Sequence, residues 1–440
     1  MKIKKTLHQF NSVLDTTNIG RAAKKKLKYI FQDLLREKPF WWNKILLENQ
    51  RRKFCLDSGH RVKIVFLIHL PTSWTALKSI YEACVPNEKI DPILVLTPRR
   101  QNRFTDKWEG LIEAQTYFDC INIPYVVSCT KDYTEWLDLK ALKPDVVFIQ
   151  TPYEDQRHPL YKIGKLSKFT RVCYVPYAFI LTAGTFEKDF YGTYFHRDCW
   201  RIFAESEYHK GKFAQYCDEN RIIVTGYPKF DEYQELKSSE METSSKTILW
   251  ASHWTIQDEH FNASTFLKNY KYFLRFAREN AHIKLIFRPH PFLFRALVEG
   301  KHFTEEQLNE FIKEWSDLPN TEIDKNPNYF EVFVRTDILV TDNGSFLGEY
   351  LLTGKPIIYT HNYKSDSFNL NDYGVQLTKF HYVARNVNQL EELINDIFLC
   401  GHDYLKEKRV ENSKNLIHSS GEKAGDLIVR NIINEFLSKA

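Results

Sequence analysis

Short apolar runs alternate with amphipathic stretches from residue 62 onward, and their two periods set the expectation. Val62–Ile68 (VKIVFLI) is almost continuously apolar over the length of a strand, and Thr75–Cys84 places its apolar residues at helical spacing. The same pattern predicts strands over 93–96, 125–127, 146–150, 172–175 and 222–225, a helix over 108–118, and a strand followed by a helix within 200–216. Residues 236–246 (LKSSEMETSSK) lack apolar periodicity and read as a linker. Beyond it the alternation restarts, with strands over 247–251, 283–288, 338–341 and 356–359 and helices over 265–279, 305–315, 346–352, 390–397 and 424–437. Strands separated by helices of this length build parallel sheets covered on both faces. The expectation is an α/β chain of two doubly wound, Rossmann-like domains, 61–235 and 247–425, preceded by a segment 1–60 and followed by a terminal helix, 426–440. Ligands of such sheets bind beyond the strand carboxyl ends, so a cleft between the two domains is the expected site.

Composition narrows this picture. The chain has 440 residues, 43% hydrophobic and 27% charged. That balance suits globular domains and excludes a disordered or fibrous chain. No apolar run reaches the roughly 18 residues of a membrane span, and Lys2, Lys4 and Lys5 are not followed by the apolar core of a signal peptide. Eight scattered cysteines without a Cys-x-x-Cys pair suggest reduced thiols rather than a zinc ribbon or a disulfide framework.

Charge is unevenly spread. Residues 1–53 hold fourteen Lys and Arg against four Asp and Glu, while the whole chain carries +5. Within that basic head, RAAKKKLKYIFQDLL (21–35) sets Leu27, Ile30, Phe31, Leu34 and Leu35 on one helical stripe beside Lys24, Lys25, Lys26 and Lys28, with Trp41 and Trp42 close behind. A basic helical segment of this kind suits an anionic membrane surface at the cytoplasmic face of the cell membrane, with the protein held there peripherally. The alternative is a helix packed on the body with its lysines solvated. No nucleic-acid-binding motif accompanies the charge, so no nucleic acid is expected.

Three post-strand segments of the second half carry candidate chemistry. Arg288-Pro289-His290-Pro291 ends a strand with two prolines that stop the ladder and stiffen the turn, holding His290 where a ligand would lie. Thr341-Asp342-Asn343-Gly344-Ser345 follows a strand and opens a helix whose first N–H groups suit an anion, with Glu349 one turn on, in reach of a ribose. Gly226 to Asp231, including Lys229, and Ser252-His253 lie at strand ends on either side of the linker and should border the cleft. In the first half, Gln150, Asp155, Arg157 and His158 crowd one post-strand loop, where an acceptor hydroxyl would need a base. His69, Thr72 and Ser73 follow the first strand as further lining on the acceptor side.

Taken in order, these pieces resemble the CDP-glycerol glycerophosphotransferase family, which includes teichoic-acid primases and polymerases. Thr225-Gly226-Tyr227-Pro228-Lys229-Phe230-Asp231 is similar to its Gly-x-Pro-Arg-Asn-Asp element, and Arg288-Pro289-His290-Pro291 to its Pro-His-Pro element. Thr341 through Ser345 with Glu349 and Gly354-Lys355-Pro356 is similar to its Ser-Asp-x-Ser-Ser…Glu…Lys-Pro run. The acceptor-side Trp-His-Gly-Thr-Pro-Leu-Lys motif is absent, and only Gln150 and His158 to Gly164 stand near its place. The resemblance implies a GT-B fold with the nucleotide on the C-terminal domain. It also implies transfer of a polyol phosphate from a CDP-activated donor to a lipid-linked or saccharide acceptor in capsule or teichoic-acid-like synthesis. His290 would contact the pyrophosphate, Gly344 and Ser345 would bind phosphate, and Glu349 would reach the nucleoside. Arg288 and His290 would stabilise the diphosphate while His158 or Asp155 deprotonates the acceptor. No cofactor is required on this reading, although a divalent cation is compatible with it. Two alternatives share the fold: a sugar-nucleotide glycosyltransferase of capsule or lipopolysaccharide synthesis, and a non-catalytic scaffold that binds nucleotide or membrane.

Overall fold

Residues 61–101, 107–183, 187–238, 246–256, 263–361, 370–416 and 420–437 are described by a computed structural model. The basic segment 1–60, with its membrane-surface expectation, and linker residues 239–245 lie outside them.

The first strand, β1 (Val62–Ile68), shows why the sheets form. Val62, Ile64, Phe66 and Ile68 bury into one apolar cluster, and Val65 and Leu67 into another on the opposite face. A strand buried on both faces reads as a continuous apolar run and pairs in parallel with its neighbours. β1 pairs in this way with β2 (Ile90–Leu96) and β6 (Val146–Ile149). The parallel sheet continues through β5 (Val126–Val127) at one edge and β7 (Arg171–Tyr174), β8 (Arg201–Ala204) and β9 (Ile222–Val224) at the other, in the order β5-β2-β1-β6-β7-β8-β9. The second sheet has the order β12-β11-β10-β13-β14-β15, from β10 (Thr247–Ser252), β11 (Lys284–Pro289), β12 (Thr321–Ile323), β13 (Ile338–Thr341), β14 (Ile357–Thr360) and β15 (Tyr382–Ala384). Both sheets run outward from their first strand in two directions, the doubly wound Rossmann pattern. Each therefore has a switch point, between β1 and β6 and between β10 and β13.

Several expectations shift in detail. The helix read over 108–118 is a short strand, β4 (Trp108–Glu109), then Gly110 at φ +86°, then a helix at Leu111–Cys120. β4 pairs antiparallel with β3 (Arg99–Arg100), making a ribbon that leaves the first sheet just beyond β2. The three-residue strands β12 and β15 are too short to show in the apolar pattern. Residues 346–352 divide into a helix Gly344–Glu349 and a tighter turn Tyr350–Thr353. The helix expected over 390–397 begins at Val387 and continues as a wider π turn, Ile394–Leu399.

Two helices tie the lobes together. Pro228–Ser238 starts inside the segment read as a strand-end loop and runs into the expected linker. Gly226, at φ +78°, turns the chain out of β9, and Pro228 sits at the helix start, where its missing N–H costs nothing. The final helix, Ala424–Leu437, crosses back to the first lobe, where Ile428, Val429, Ile432 and Phe436 complete the core around β1. Its start is capped by Asp231, which accepts from the amides of Ala424 (3.0 Å) and Gly425 (2.9 Å) and from the hydroxyl of Ser79. A side chain at 425 would meet the Ser79 carbonyl oxygen at 2.5 Å, so glycine is needed there. Among the described residues no helix is long and apolar enough to cross a membrane.

Candidate active site

Residues just beyond the carboxyl ends of the two sheets meet each other. Phe179, after β7, donates its amide to Glu349, after β13. Thr182 bridges Leu370, and Asn371 bonds the carbonyls of Ile180 and Leu181. Arg99 of the ribbon lies over the ring of Phe292, beyond β11. The switch points therefore face one cleft, which is where the topology places a ligand.

On the second lobe, two histidines form the centre. His290 follows Pro289, the last residue of β11, and its ring centroid is 5.2 Å from that of His253, just past β10. The Nδ1 of His290 accepts the amide of Phe292 (3.1 Å), and that of His253 accepts the amide of Thr255 (3.2 Å). An accepting Nδ1 in a neutral ring fixes the proton on Nε2. Both rings are neutral at physiological pH. Burial, then His253 and Arg288, hold His290 well below the usual imidazole range, and burial takes His253 down to about 4. Two neutral rings that keep Nε2–H donors side by side are suited to an anionic oxygen.

Asp342 fixes this pair in place. It is buried and accepts from the Ser252 hydroxyl (2.9 Å), the His253 amide (2.5 Å) and the Thr265 amide and hydroxyl (2.6 and 2.9 Å). Burial raises its carboxyl to about 6 against these hydrogen bonds. Thr341 in turn donates to the Ala251 carbonyl. This corrects the donor-binding expectation for Ser252, Thr341 and Asp342, whose polar atoms are spent bracing β10 to β13. Arg288 is likewise committed, to an ion pair with Asp324 and to the carbonyl of Asn326.

Glu349 departs most from expectation. It has no exposed surface. It accepts from the hydroxyls of Tyr329 (2.7 Å) and Tyr227 (3.4 Å) and lies 3.8 Å from Lys229, whose ammonium also donates to Tyr329 (2.8 Å). Burial lowers the Lys229 ammonium from its usual range while Glu349 opposes this. A buried ion pair with its spare valences satisfied by tyrosines joins the lobes, so neither Glu349 nor Lys229 stands open to a nucleoside here. Gly226 serves the backbone turn rather than the ligand. Gly344 and Ser345 open their helix under Thr182 and Leu370, and Asn343 caps the Ser345 amide (3.3 Å).

The first lobe treats its candidates differently. His158 stacks on Trp136 at 3.8 Å and 2°, and its Nδ1 caps the Leu160 amide. Burial, then Arg100 and Lys162, lower its pKa. Arg157 is buried against Glu154 and the Thr151 carbonyl, and Asp155 is exposed on the loop. Arg157 is thus a brace, which corrects its acceptor-side expectation, while His158 caps its own turn and the Asp155 carboxylate stands open. Gln150 accepts the amides of His69 (3.1 Å) and Leu70 (3.0 Å) and returns a bond to the Leu70 carbonyl, so it too is a brace. Thr72 and the buried Ser73 sit in a single tight turn. His69 follows β1 at the switch point and is bonded to Thr151 (3.3 Å). Burial, then the charges of Arg157 and Arg99, keep it neutral, with its pKa down to about 3. The hydroxyls of Tyr153 and Tyr177, 2.8 Å apart beyond β6 and β7, went unread in the sequence. Their positions after strand ends were the available signal. Among the described residues no three His, Cys, Asp or Glu side chains gather to hold a metal ion.

The model of the CDP-Glycerol:Poly(glycerophosphate) glycerophosphotransferase family matches residues 200–434, from β8 through the second lobe into the final helix. The chain belongs to this family. The expected GT-B fold holds. The solved wall teichoic acid polymerase TagF superposes with a TM-score of 0.54 at 15% identity, over 96% of this chain and 100% of that one. UDP-GlcNAc 2-epimerase from Neisseria meningitidis shares the fold at a TM-score of 0.55 and 14% identity, over 85% and 100% of the two chains. The minor teichoic acid biosynthesis protein GgaB of Bacillus subtilis (strain 168) is 27% identical over 214 residues, 43% of this chain. The match takes in only about a fifth, 21%, of that relative's length.

Proposed function

We propose that this glycerophosphotransferase-family member moves a polyol phosphate, glycerol phosphate first among them, from a CDP-activated donor to an acceptor hydroxyl of a cell-surface polymer. The acceptor oxygen forms a bond to the β-phosphorus, the bond from that phosphorus to the bridging oxygen breaks, and CMP leaves. The acceptor's proton passes to a base on the first lobe. Phosphoryl transfer of this kind depends chiefly on positioning and charge stabilisation. The observation that carries the reading is the pair of neutral, Nε2-protonated histidines, His253 and His290, at the second switch point of a chain in this family. They would bind the diphosphate. His69, at the facing switch point and bonded to Thr151, would line the acceptor side. Support for the donor comes from the family and from a TagF variant solved after a soak with CDPG.

Purified protein would be assayed for CMP release with CDP-glycerol and CDP-ribitol, and for UDP release with UDP-sugars, over lipid-linked and saccharide acceptors. Turnover of a CDP-polyol is the expected result. Turnover of UDP-sugars alone would assign a glycosyltransferase, and nucleotide binding without any turnover would assign a scaffold. The same reading places the protein at the cytoplasmic face of the membrane through residues 1–53, which sedimentation with anionic but not zwitterionic vesicles would show.

A further inference from the structure

A diphosphate held only by neutral imidazoles keeps most of its charge, and on the second lobe Arg288 is committed to Asp324 and Arg295 pairs with Glu299. A guanidinium does reach this point, and it comes from the other lobe. Arg99 stands at the start of the ribbon β3–β4, where the chain leaves the carboxyl end of β2. Its side chain is only 11% exposed. The guanidinium lies 4.9 Å above the Phe292 ring, and that ring is 5.4 Å from His290, two residues earlier in the same turn. On its own lobe its charge acts on His69. Arg99 is thus a cation that reaches from the first lobe toward the turn of the second that carries His290.

Its hydrogen bonding is incomplete. One terminal nitrogen pairs with Glu109 of the neighbouring strand at 2.6 Å, but the buried Nε–H has no partner among the described residues. Glu113 and Arg295 are its other charged neighbours. An unpartnered buried donor on a fixed cation costs free energy unless an acceptor arrives to meet it. The two-residue ribbon fixes the backbone, and the Phe292 face orients the guanidinium plane.

We propose that Arg99 is the first lobe's contribution to the donor site, a guanidinium that binds the β-phosphate of the CDP donor across the cleft from His290. The inference rests on the CDP-donor reading above and adds a residue from the part of the first lobe that the family match does not cover. Guanidinium–phosphate contacts are charge-assisted and geometrically specific, and lysine supplies the charge without the fork. Placed here, the contact would also make closure of the lobes depend on a diphosphate rather than a monophosphate.

The test is calorimetric titration of the full chain with cytidine, CMP, CDP and CDP-glycerol, for wild type, Arg99→Met, Arg99→Lys and Glu109→Gln, with melting temperatures of the free proteins as the check on folding. Arg99→Met is expected to weaken CDP and CDP-glycerol by about 10- to 100-fold, while cytidine stays within about twofold. Arg99→Lys should recover part of that loss. Glu109→Gln should leave CDP affinity within about threefold of wild type. The inference is overturned if Arg99→Met binds CDP as wild type does, if it weakens cytidine as much as CDP, or if Glu109→Gln costs as much as Arg99→Met. The last result would make the residue a brace for the ribbon. Wild-type protein that binds no cytidine nucleotide would instead overturn the donor reading itself.

Discussion

The two lobes share one strand plan but spend their polar residues differently. In the second lobe, Asp342 gathers Ser252, His253 and Thr265 into a buried brace that presents two neutral imidazoles at the switch point. In the first, the residues after β6 turn inward: Arg157 onto Glu154, His158 onto Trp136, Gln150 onto the β1 turn. His69, Arg99, the Tyr153–Tyr177 pair and the exposed Asp155 are the described residues set to meet a substrate from that side. The family match follows this division, covering β8 onward and leaving the strands before it unmatched. A donor site can be built rigidly when its ligand is fixed, whereas an acceptor site is where chains of one fold diverge.

The sharpest way to break this comparison is to remove one histidine from each lobe. His290→Ala is expected to lower kcat/KM for the CDP-polyol by about 10²- to 10⁴-fold, the range for a positioned catalytic imidazole, with the fold intact by circular dichroism. His158→Ala should stay within about threefold, because a stacked, backbone-capping ring contributes locally. Equal losses would erase the distinction between the lobes.

A smaller effect tests the brace. Asp342→Ala leaves four donors around one buried point without an acceptor, and we expect a loss of about 3 kcal/mol of unfolding free energy, measured by denaturant titration. An unchanged midpoint would mean that water replaces the carboxylate and that the site is not held by it.

The smallest effect concerns the joint. Glu205, after β8, is buried without a hydrogen-bonding side-chain partner, and burial raises its carboxyl to about 8. The folded state then holds the proton more tightly than the unfolded chain. The group's contribution is complete below its ordinary pKa of 4.5 and is lost as pH rises toward 8. The slope is at most about 1.4 kcal/mol per pH unit. Histidines with depressed pKa, such as His69 and His253, act in the opposite sense below about pH 6.5. The clean window is therefore pH 6.5–8, where Glu205→Gln should flatten the decline of wild-type melting temperature. A parallel decline in both proteins would place the titrating group elsewhere.

Much of this was legible before any coordinates. The apolar runs placed β1 and β13 to the residue, because all their positions but Lys63 and Thr341 are apolar and buried. The helix Thr75–Cys84 and the final helix were equally plain. β12 and β15 were not: TEI holds a single apolar residue, and YVA is no stronger a run than many loop segments. At the site, position after a strand end pointed to His253, His290 and His69, and the structure sets the first two side by side and bonds the third to Thr151. It did not separate ligand contacts from braces. Asp342, Gln150 and Glu349 look alike in sequence as polar residues after strands, and only burial with complete hydrogen bonding shows that each supports its neighbours. Arg99 was missed because a two-residue ribbon gives no pattern, although it too follows a strand.

The central claim is that the paired histidines of the second lobe hold a diphosphate. A crystal structure of the protein with CDP-glycerol tests it most directly. The account predicts the diphosphate oxygens within hydrogen-bonding distance of Nε2 of His290, with the cytidine on the second lobe. A nucleotide bound away from the β10 and β13 ends, with His253 and His290 left in contact only with protein, would contradict it.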